Sequence, residues 1–226
     1  LDGSGNVHIT GAFLSTTADF DPGPGTANLT NAGNDEIFVA KYDASGNYLW
    51  AGRTGSTNSD IGYGIAVDGS GNVYATGSFR GSNVDFDPGA GTATLSSAGN
   101  SDIFISKYDA SGNYVWAKRL GGTTGDEGYG IALDGSGNLH VTGYFQSSSA
   151  DFDPGAGTAN LSTAGGRDVF IAKYDASGNY VWARKLGGTG FDAGFGLALD
   201  GSGNVFVTGF FGGNDADFDP GAGTAI

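Results

Sequence analysis

The stretch Lys107-Tyr108-Asp109-Ala110-Ser111-Gly112-Asn113-Tyr114 decides the fold of this chain, because it occurs three times without a single change. The copies begin at Lys41, Lys107 and Lys173, and 107 − 41 = 66 while 173 − 107 = 66. A second motif, Asp-Gly-Ser-Gly-Asn, begins at Asp2, Asp68, Asp134 and Asp200 with the same spacing. The sequence therefore predicts one tandem array, with repeats 1–66, 67–132 and 133–198 and a partial repeat 199–226.

The composition favours short strands and tight turns over helices. Of 226 residues, 44 are Gly and 12% are aromatic, and the apolar residues alternate in an ordered way. The formal net charge of −14, with only 10 Lys and Arg residues, argues against nucleic acid as a partner and favours a cation. No apolar run is long enough to span a membrane, so we expect no membrane insertion.

Each module contains two predicted β-hairpins. In the second module the first hairpin joins Tyr63–Asp68 to Asn72–Phe79, and the second joins Asp102–Tyr108 to Tyr114–Leu120. The segment Asp85–Leu95 lies between the hairpins and is interrupted by Gly and Pro, so we expect it to be an irregular surface loop. Each complete module thus supplies four strands.

Both faces of these strands carry apolar side chains, since Ile103 and Ile105 point to one side and Phe104 points to the other. A sheet with two apolar faces must be covered on both. The predicted fold class is therefore all-β, with tandem four-stranded antiparallel blades of a β-propeller or a propeller-like repeat array; a linear solenoid of sheets is the alternative. Three tryptophans in equivalent positions should pack between blades as part of the core: Trp50, Trp116 and Trp182. The alternative is that they form an exposed platform for a ligand.

The pattern of Gly121–Gly143, followed by Asp168–Trp182, resembles the seven-bladed β-propeller repeat family of bacterial secreted and surface proteins. The resemblance extends over every copy of the module. It implies a propeller on the cell surface or outside the cell, within large and often multi-domain proteins. It implies no catalytic residues, because the family is defined by its blades. The Asp-Phe-Asp-Pro-Gly segment makes this module longer than an ordinary blade, so the number of blades does not follow from the resemblance.

The candidate ligand site is the Asp-Phe-Asp-Pro-Gly motif. Its two carboxylates, at positions i and i+2, lie on one side of an extended backbone and could bind calcium, with carbonyl groups of the following turn as further ligands. The alternative is that the aspartates cap the turn while the Phe anchors it in the core. The candidate metal ligands are Asp19, Asp21, Asp85, Asp87, Asp151, Asp153, Asp217 and Asp219.

Other motifs favour structural roles. The aspartates of Asp-Gly-Ser-Gly-Asn and Asp-Ala-Ser-Gly-Asn lie where a hairpin must reverse, and that role explains their composition. His8 and His140 occupy strand positions that are Tyr74 and Phe206 in the other copies, so they replace an aromatic residue. Near-identical copies do not provide the two unlike environments that a pair of catalytic carboxylates needs, so we predict no enzymatic activity.

Two functional hypotheses remain. The first is an extracellular structural repeat protein, a scaffold or a self-assembling surface or filament component, stabilised by calcium. The near-identity of the modules favours it, because a binding propeller usually diversifies its loops to build one asymmetric site. The second is a recognition module that binds glycans or a protein through repeated weak sites.

The partial repeat Leu199–Ile226 repeats the part of the module seen in Leu1–Asn28 and contains no second hairpin. Three complete modules are also fewer than the roughly four to eight blades of a typical propeller. We therefore expect unpaired sheet edges near Leu1 and Ile226, covered by identical copies packed head-to-tail or by further modules of a longer protein.

Overall fold

The computed structural model describes residues 1–221 and Gly223. The expected edge at Ile226 lies outside the described residues. Every regular element in the described part is a β-strand, and none of its segments is a helix able to cross a membrane. The strands are β1 Val7–Phe13, β2 Thr17–Asp19, β3 Asn28–Thr30, β4 Glu36–Tyr42, β5 Tyr48–Thr54, β6 Ile61–Val67, β7 Val73–Phe79, β8 Val84–Asp85, β9 Thr94–Leu95, β10 Asp102–Tyr108, β11 Tyr114–Leu120, β12 Asp126–Leu133, β13 Leu139–Phe145, β14 Ala150–Asp151, β15 Asn160–Leu161, β16 Asp168–Tyr174, β17 Tyr180–Leu186, β18 Ala193–Leu199 and β19 Val205–Phe210.

The strands form consecutive sheets of the predicted kind. The second sheet has the order β6-β7-β10-β11 and the third has β12-β13-β16-β17. All three strand pairings in the third sheet are antiparallel. Within residues 1–221 and Gly223, the first sheet contains β1-β4-β5 and the last contains β18-β19. Tandem four-stranded antiparallel sheets are thus confirmed, and β10 and β11 have the bounds that the sequence predicted.

The segment between the two hairpins is more regular than expected. In the second module it forms a two-stranded ladder in which Val84 pairs with Leu95 and Asp85 with Thr94. Gly55 bridges to Asp85 as well. The prediction of an irregular loop was therefore wrong for the base of this segment, because cross-strand bonds satisfy its backbone. The Pro-Gly tip lies at the surface, as expected, and its Gly89 and Gly91 are exposed.

The chain divides into two compact units. The first comprises residues 1–97 and 104–118, and the second comprises residues 98–103 and 119–226. In the first unit one buried cluster joins Ile37 and Val39 of β4 to Val73 of β7, and it includes Phe86 and Phe104. The first and second sheets therefore share a core through the faces that the sequence marked as apolar.

In the second unit the third sheet buries Phe145, Phe152 and Phe170. Their rings form a continuous series, with centroids 5.6 Å apart between Phe145 and Phe152 and 4.9 Å apart between Phe152 and Phe170. The hairpin β18-β19 packs against this sheet, since the rings of Phe195 and Tyr129 are 5.3 Å apart. This unit thus repeats the sheet-on-sheet packing of the first.

The tryptophans are half-buried, whereas the Phe of the Asp-Phe-Asp motif is fully buried in the two complete sheets. Trp50 is part of β5 in the first sheet, and its side chain extends to the hairpin turn of the second sheet. There its Nε1 donates a hydrogen bond to the carbonyl oxygen of Ala110 at 3.2 Å. It therefore contacts the neighbouring sheet, as the sequence predicted, but it is half-buried at the margin of the core. The ring of Trp116 packs edge-on against Tyr74 in its own sheet, at 6.2 Å.

The apolar pattern overstated the burial of the last strand in each sheet. Its outward-facing residues are exposed in all three copies, namely Leu49, Val115 and Val181. These strands are at the sheet edges, and the face that carries these three residues contacts solvent although its sequence is apolar.

Candidate functional site

The Asp-Phe-Asp-Pro-Gly loop is built around its own carboxylates. Asp85 ends β8, and its Oδ1 accepts hydrogen bonds from the amides of Asp87 at 3.0 Å and Ala93 at 2.8 Å. Asp87 Oδ1 accepts a hydrogen bond from the amide of Gly89 at 2.8 Å. The first aspartate therefore ties the two ends of the loop together, and the second caps the Pro-Gly turn.

The same bonds recur in the first and third copies. Asp19 accepts from Asp21 and Ala27, and the two amide hydrogen bonds lower the pKa of its carboxyl group. Asp151 accepts from Asp153 and Ala159 in the same way. The second aspartate of each motif accepts from the glycine two residues later, at Asp21, Asp153 and Asp219. In the last copy Asp217 accepts from Asp219 at 2.9 Å.

Phe86 in the motif and Gly91 just after it also have structural roles. The second carboxylate oxygen of Asp87 lies where a Cβ on Gly91 would stand, so any other residue at this position would have to displace that carboxylate. Phe86 points into the core, and its ring lies 5.4 Å from Phe79 and 5.2 Å from Phe104. The loop thus closes through hydrogen bonds and one buried ring. This is the arrangement that the sequence offered as the alternative to calcium binding.

The donor chemistry of the loop suits calcium, but each copy provides only two carboxylates. Among residues 1–221 and Gly223, no three His, Cys, Asp or Glu side chains are close enough to hold a metal together. Calcium takes about six to eight oxygen ligands, so carbonyl groups and water would have to supply most of them. Calcium binding by the eight aspartates stays a prediction.

The hairpin turns use their aspartates as the sequence predicted. Asp109 Oδ1 accepts from the amides of Ser111 and Asn113 at 2.8 and 2.9 Å, and its Oδ2 accepts from the Asn113 side chain at 2.8 Å. The Asn113 side chain and amide, together with the Ser111 amide, lower the pKa of Asp109. Equivalent bonds are formed in the other turns by Asp2, Asp43, Asp68, Asp134, Asp175 and Asp200.

A set of buried carboxylates that the sequence did not predict lies where one sheet passes into the next. Asp102 is fully buried, accepts from the amide of Ala98 at 2.9 Å and pairs with Arg119 at 2.8 Å. Asp126 is fully buried as well and accepts from the amides of Gly122 and Gln146. Burial raises the pKa of both carboxyl groups. The sequence contained a signal for these carboxylates, because an acidic residue recurs at equivalent module positions. It is found at 36, 102 and 168, and again at 60, 126 and 192.

The histidines replace aromatic residues, as predicted. The ring of His140 is buried and lies edge-on to Trp182 at 6.1 Å, as Tyr74 lies to Trp116 at 6.2 Å. Burial lowers the pKa of His140, and the charge of Lys173 lowers it further. Neutral His140 therefore acts as a packing residue.

The first unit contains a cleft that the sequence did not predict. This Trp50 cleft lies between β5 at Trp50–Gly52, the loop at Asp87–Gly91 and the turn at Ser111–Tyr114, and its volume is about 380 Å³. The first sheet has a related cleft of about 450 Å³ between its own loop at Asp21–Gly25 and its turn at Gly46–Tyr48. No tryptophan lines that second cleft. The two loops thus create similar surroundings, and only the Trp50 cleft adds an aromatic side chain from a neighbouring sheet.

Comparisons with known proteins agree with the repeat architecture. Residues 50–86 and 115–152 match the family described as SBBP, beta-propeller repeat. The chain is 29% identical over 199 residues to an uncharacterized WD repeat-containing protein of Acanthamoeba polyphaga mimivirus, covering 78% of this chain and 14% of that protein.

It is also 30% identical over 147 residues to the regulatory protein FlaEY of Caulobacter vibrioides, covering 65% of this chain and 15% of that protein. The chain therefore spans about a seventh of the length of the curated relatives that it matches. The match to the family lies in the strands and loops that build the sheets described above. Residues 50–86 and 115–152 thus match the SBBP beta-propeller repeat family, which is the family that the modules resemble in sequence.

Proposed function

We propose that the chain is a non-enzymatic, extracellular structural repeat protein whose sheets continue head-to-tail into identical copies. The observation that carries this proposal is the near-identity of the modules, and the surface that would take part is the aromatic face of the β18-β19 hairpin. Phe211 and Phe218 are 54% and 49% exposed, whereas their counterparts Phe145 and Phe152 in the third sheet are 0% exposed. The counterparts follow from the module spacing, because 211 − 145 = 66 and 218 − 152 = 66.

The difference in exposure has a direct structural cause. In the third sheet, β16 pairs with β13 and places Phe170 4.9 Å from Phe152. Among the described residues, β19 pairs only with β18, so no ring covers Phe218 in the same way. A cleft of about 390 Å³ remains beside Phe211 and Phe218. A strand pair equivalent to β16-β17 would both satisfy the open edge of β19 and cover this apolar face.

Further modules of a longer protein could supply such strands. An identical copy could instead meet this edge with its first sheet, whose edge at β1 is open among the described residues. The contact would be heterologous, with the last sheet of one copy meeting the first sheet of the next, and contacts of this kind extend into filaments unless the rotation closes a ring. Near-identical modules suit this assembly, since each new copy meets the same surface. The net charge of −14 opposes close association, which supports calcium as a stabilising cation.

The extracellular location rests on the resemblance to secreted and surface propellers. Detection of the native protein on intact cells, and its removal by an added protease, would test it. A protein found only after cell lysis would contradict this part of the proposal without affecting the assembly.

Sedimentation velocity tests the assembly. We expect larger species to increase between about 1 and 100 µM protein, as mass action requires for association of weak to moderate affinity. The double variant Phe211→Ser/Phe218→Ser should abolish them. Val115→Ser is the matched control, because Val115 is also an exposed apolar residue but lies outside this face. A parent chain that stays monomeric throughout this range would overturn the proposal.

A further inference from the structure

The Trp50 cleft has a rigid aromatic wall. The Trp50 indole is held by its hydrogen bond to the Ala110 carbonyl oxygen at 3.2 Å, and its ring lies against Gly112, where a Cβ would stand 2.9 Å from the ring. The side chain nevertheless stays partly exposed toward the cleft. An aromatic side chain that is already positioned loses little conformational entropy when a ligand packs on it.

Polar groups with defined orientations face this wall. Asp87 is held by the amide of Gly89 at 2.8 Å, and Asn113 is held by its side-chain bond to Asp109 at 2.8 Å. Ser111 adds an exposed hydroxyl group. Carboxylate and carboxamide oxygens accept hydrogen bonds, and a hydroxyl group can both donate and accept. Together they match a ligand that carries several neighbouring hydroxyl groups and one apolar face.

The charge of the cleft narrows the class of ligand. None of the residues that line it is Lys, Arg or His, and Asp87 is the residue that brings a formal charge at neutral pH. A phosphate, sulfate or carboxylate group would meet this charge without a cationic partner. A purely apolar ligand would leave the polar groups unpaired, which costs binding free energy.

From this geometry we propose that the Trp50 cleft binds a neutral carbohydrate, with a sugar ring packed on Trp50 and its hydroxyl groups bound by Asp87 and Asn113. The volume of about 380 Å³ lies within the range of small-ligand sites and accommodates a short oligosaccharide. This binding activity goes beyond the scaffold function and does not depend on it, because all the residues of the cleft belong to one compact unit.

Nuclear magnetic resonance titration tests the proposal on the whole chain. The chain has three tryptophans and hence three indole N–H signals, and Trp50→Phe identifies the signal of Trp50. The probes are the neutral trisaccharides of N-acetylglucosamine, glucose and mannose, added in the presence of a chelator so that calcium binding does not contribute. We expect at least one probe to shift the Trp50 signal in a saturable way, with a Kd on the order of 1 mM or below.

A matched pair of variants separates binding from folding. Asn113→Ala should weaken binding roughly tenfold, the effect of losing a ligand hydrogen bond. Asn47→Ala should leave it unchanged, because Asn47 makes the same turn bond to Asp43 but lines the cleft without tryptophan. Nuclear Overhauser contacts between sugar protons and the Trp50 ring give a test that needs no variant.

Two results would overturn the assignment. One is the absence of a saturable Trp50 shift with every neutral probe. The other is equal binding of an anionic trisaccharide of glucuronic acid, which the charge of Asp87 should exclude.

Discussion

Replacing Phe152 with Ala should destabilise the protein much more than replacing Phe218, although both belong to the same motif and the same compact unit. Phe152 is fully buried and packs against Phe145 and Phe170. Truncation of such a ring removes its transfer free energy and leaves a cavity, which costs about 4 kcal/mol. The Phe218 ring is about half exposed, and its one aromatic partner among the described residues is Phe211 at 5.0 Å, so its truncation should cost roughly 1 kcal/mol.

Hydrogen exchange of the amides in β13 and β16 is the suitable assay, because a repeat array need not unfold in one step and exchange reports local stability. The measurement should be made at about 1 µM protein, where mass action keeps weak assemblies dissociated. Phe152→Ala should accelerate exchange in both strands by roughly a thousandfold, the equivalent of about 4 kcal/mol. If Phe218→Ala had an equally large effect on its own hairpin at this concentration, the ring would be covered within the monomer and our reasoning would be refuted.

Two further predictions concern the Asp-Phe-Asp-Pro-Gly loops. If these loops bind calcium, the melting temperature should be higher with calcium than with a chelator, because a ligand that binds only the folded state stabilises it; identical melting curves would contradict the calcium prediction. Gly91→Ala should cost about 1–2 kcal/mol, because the new Cβ displaces the Asp87 carboxylate from its bond to Gly89. Gly69→Ala is the control and should leave the free energy of unfolding, measured by urea titration, unchanged. A Cβ at Gly69 meets no atom within 4 Å, and the equivalent turn position is Ala at Ala110. Equal losses of stability for the two variants would contradict the role that we assign to Gly91.

The strands and turns were predictable because their signals are local. The turn around Asp109 has the hydrogen bonds that its sequence indicates, and β10 and β11 begin and end at the predicted residues. The sequence also indicated that the aspartates of the Asp-Phe-Asp loops could cap their own turns. The short ladder at the base of the loop was missed, because β8 and β9 contain only two residues each, too few to show an alternating pattern.

Burial was harder to predict than secondary structure. Alternation placed Phe104 and Val115 in equally apolar strands, yet Phe104 is buried and Val115 is exposed. The buried position of Asp102 could not be recognised either, because its partners Ala98 and Arg119 lie on both sides of it at different sequence distances. A buried carboxylate is stable only with such partners, and a single sequence does not show which residues they are.

The sequence by itself determined that this protein is a tandem array of all-β modules, because hairpin turns and alternating strands depend on neighbouring residues that are repeated in every copy. Only the tertiary structure decided what each copy of a residue does. Phe152 and Phe218 have the same motif around them, but one lies beneath a paired strand and the other lies beside an open sheet edge. Trp50 likewise becomes the wall of a cleft because a loop and a turn of the next sheet are brought to it. Burial and binding surfaces arise from contacts between distant segments, and identical local sequences acquire different environments through those contacts.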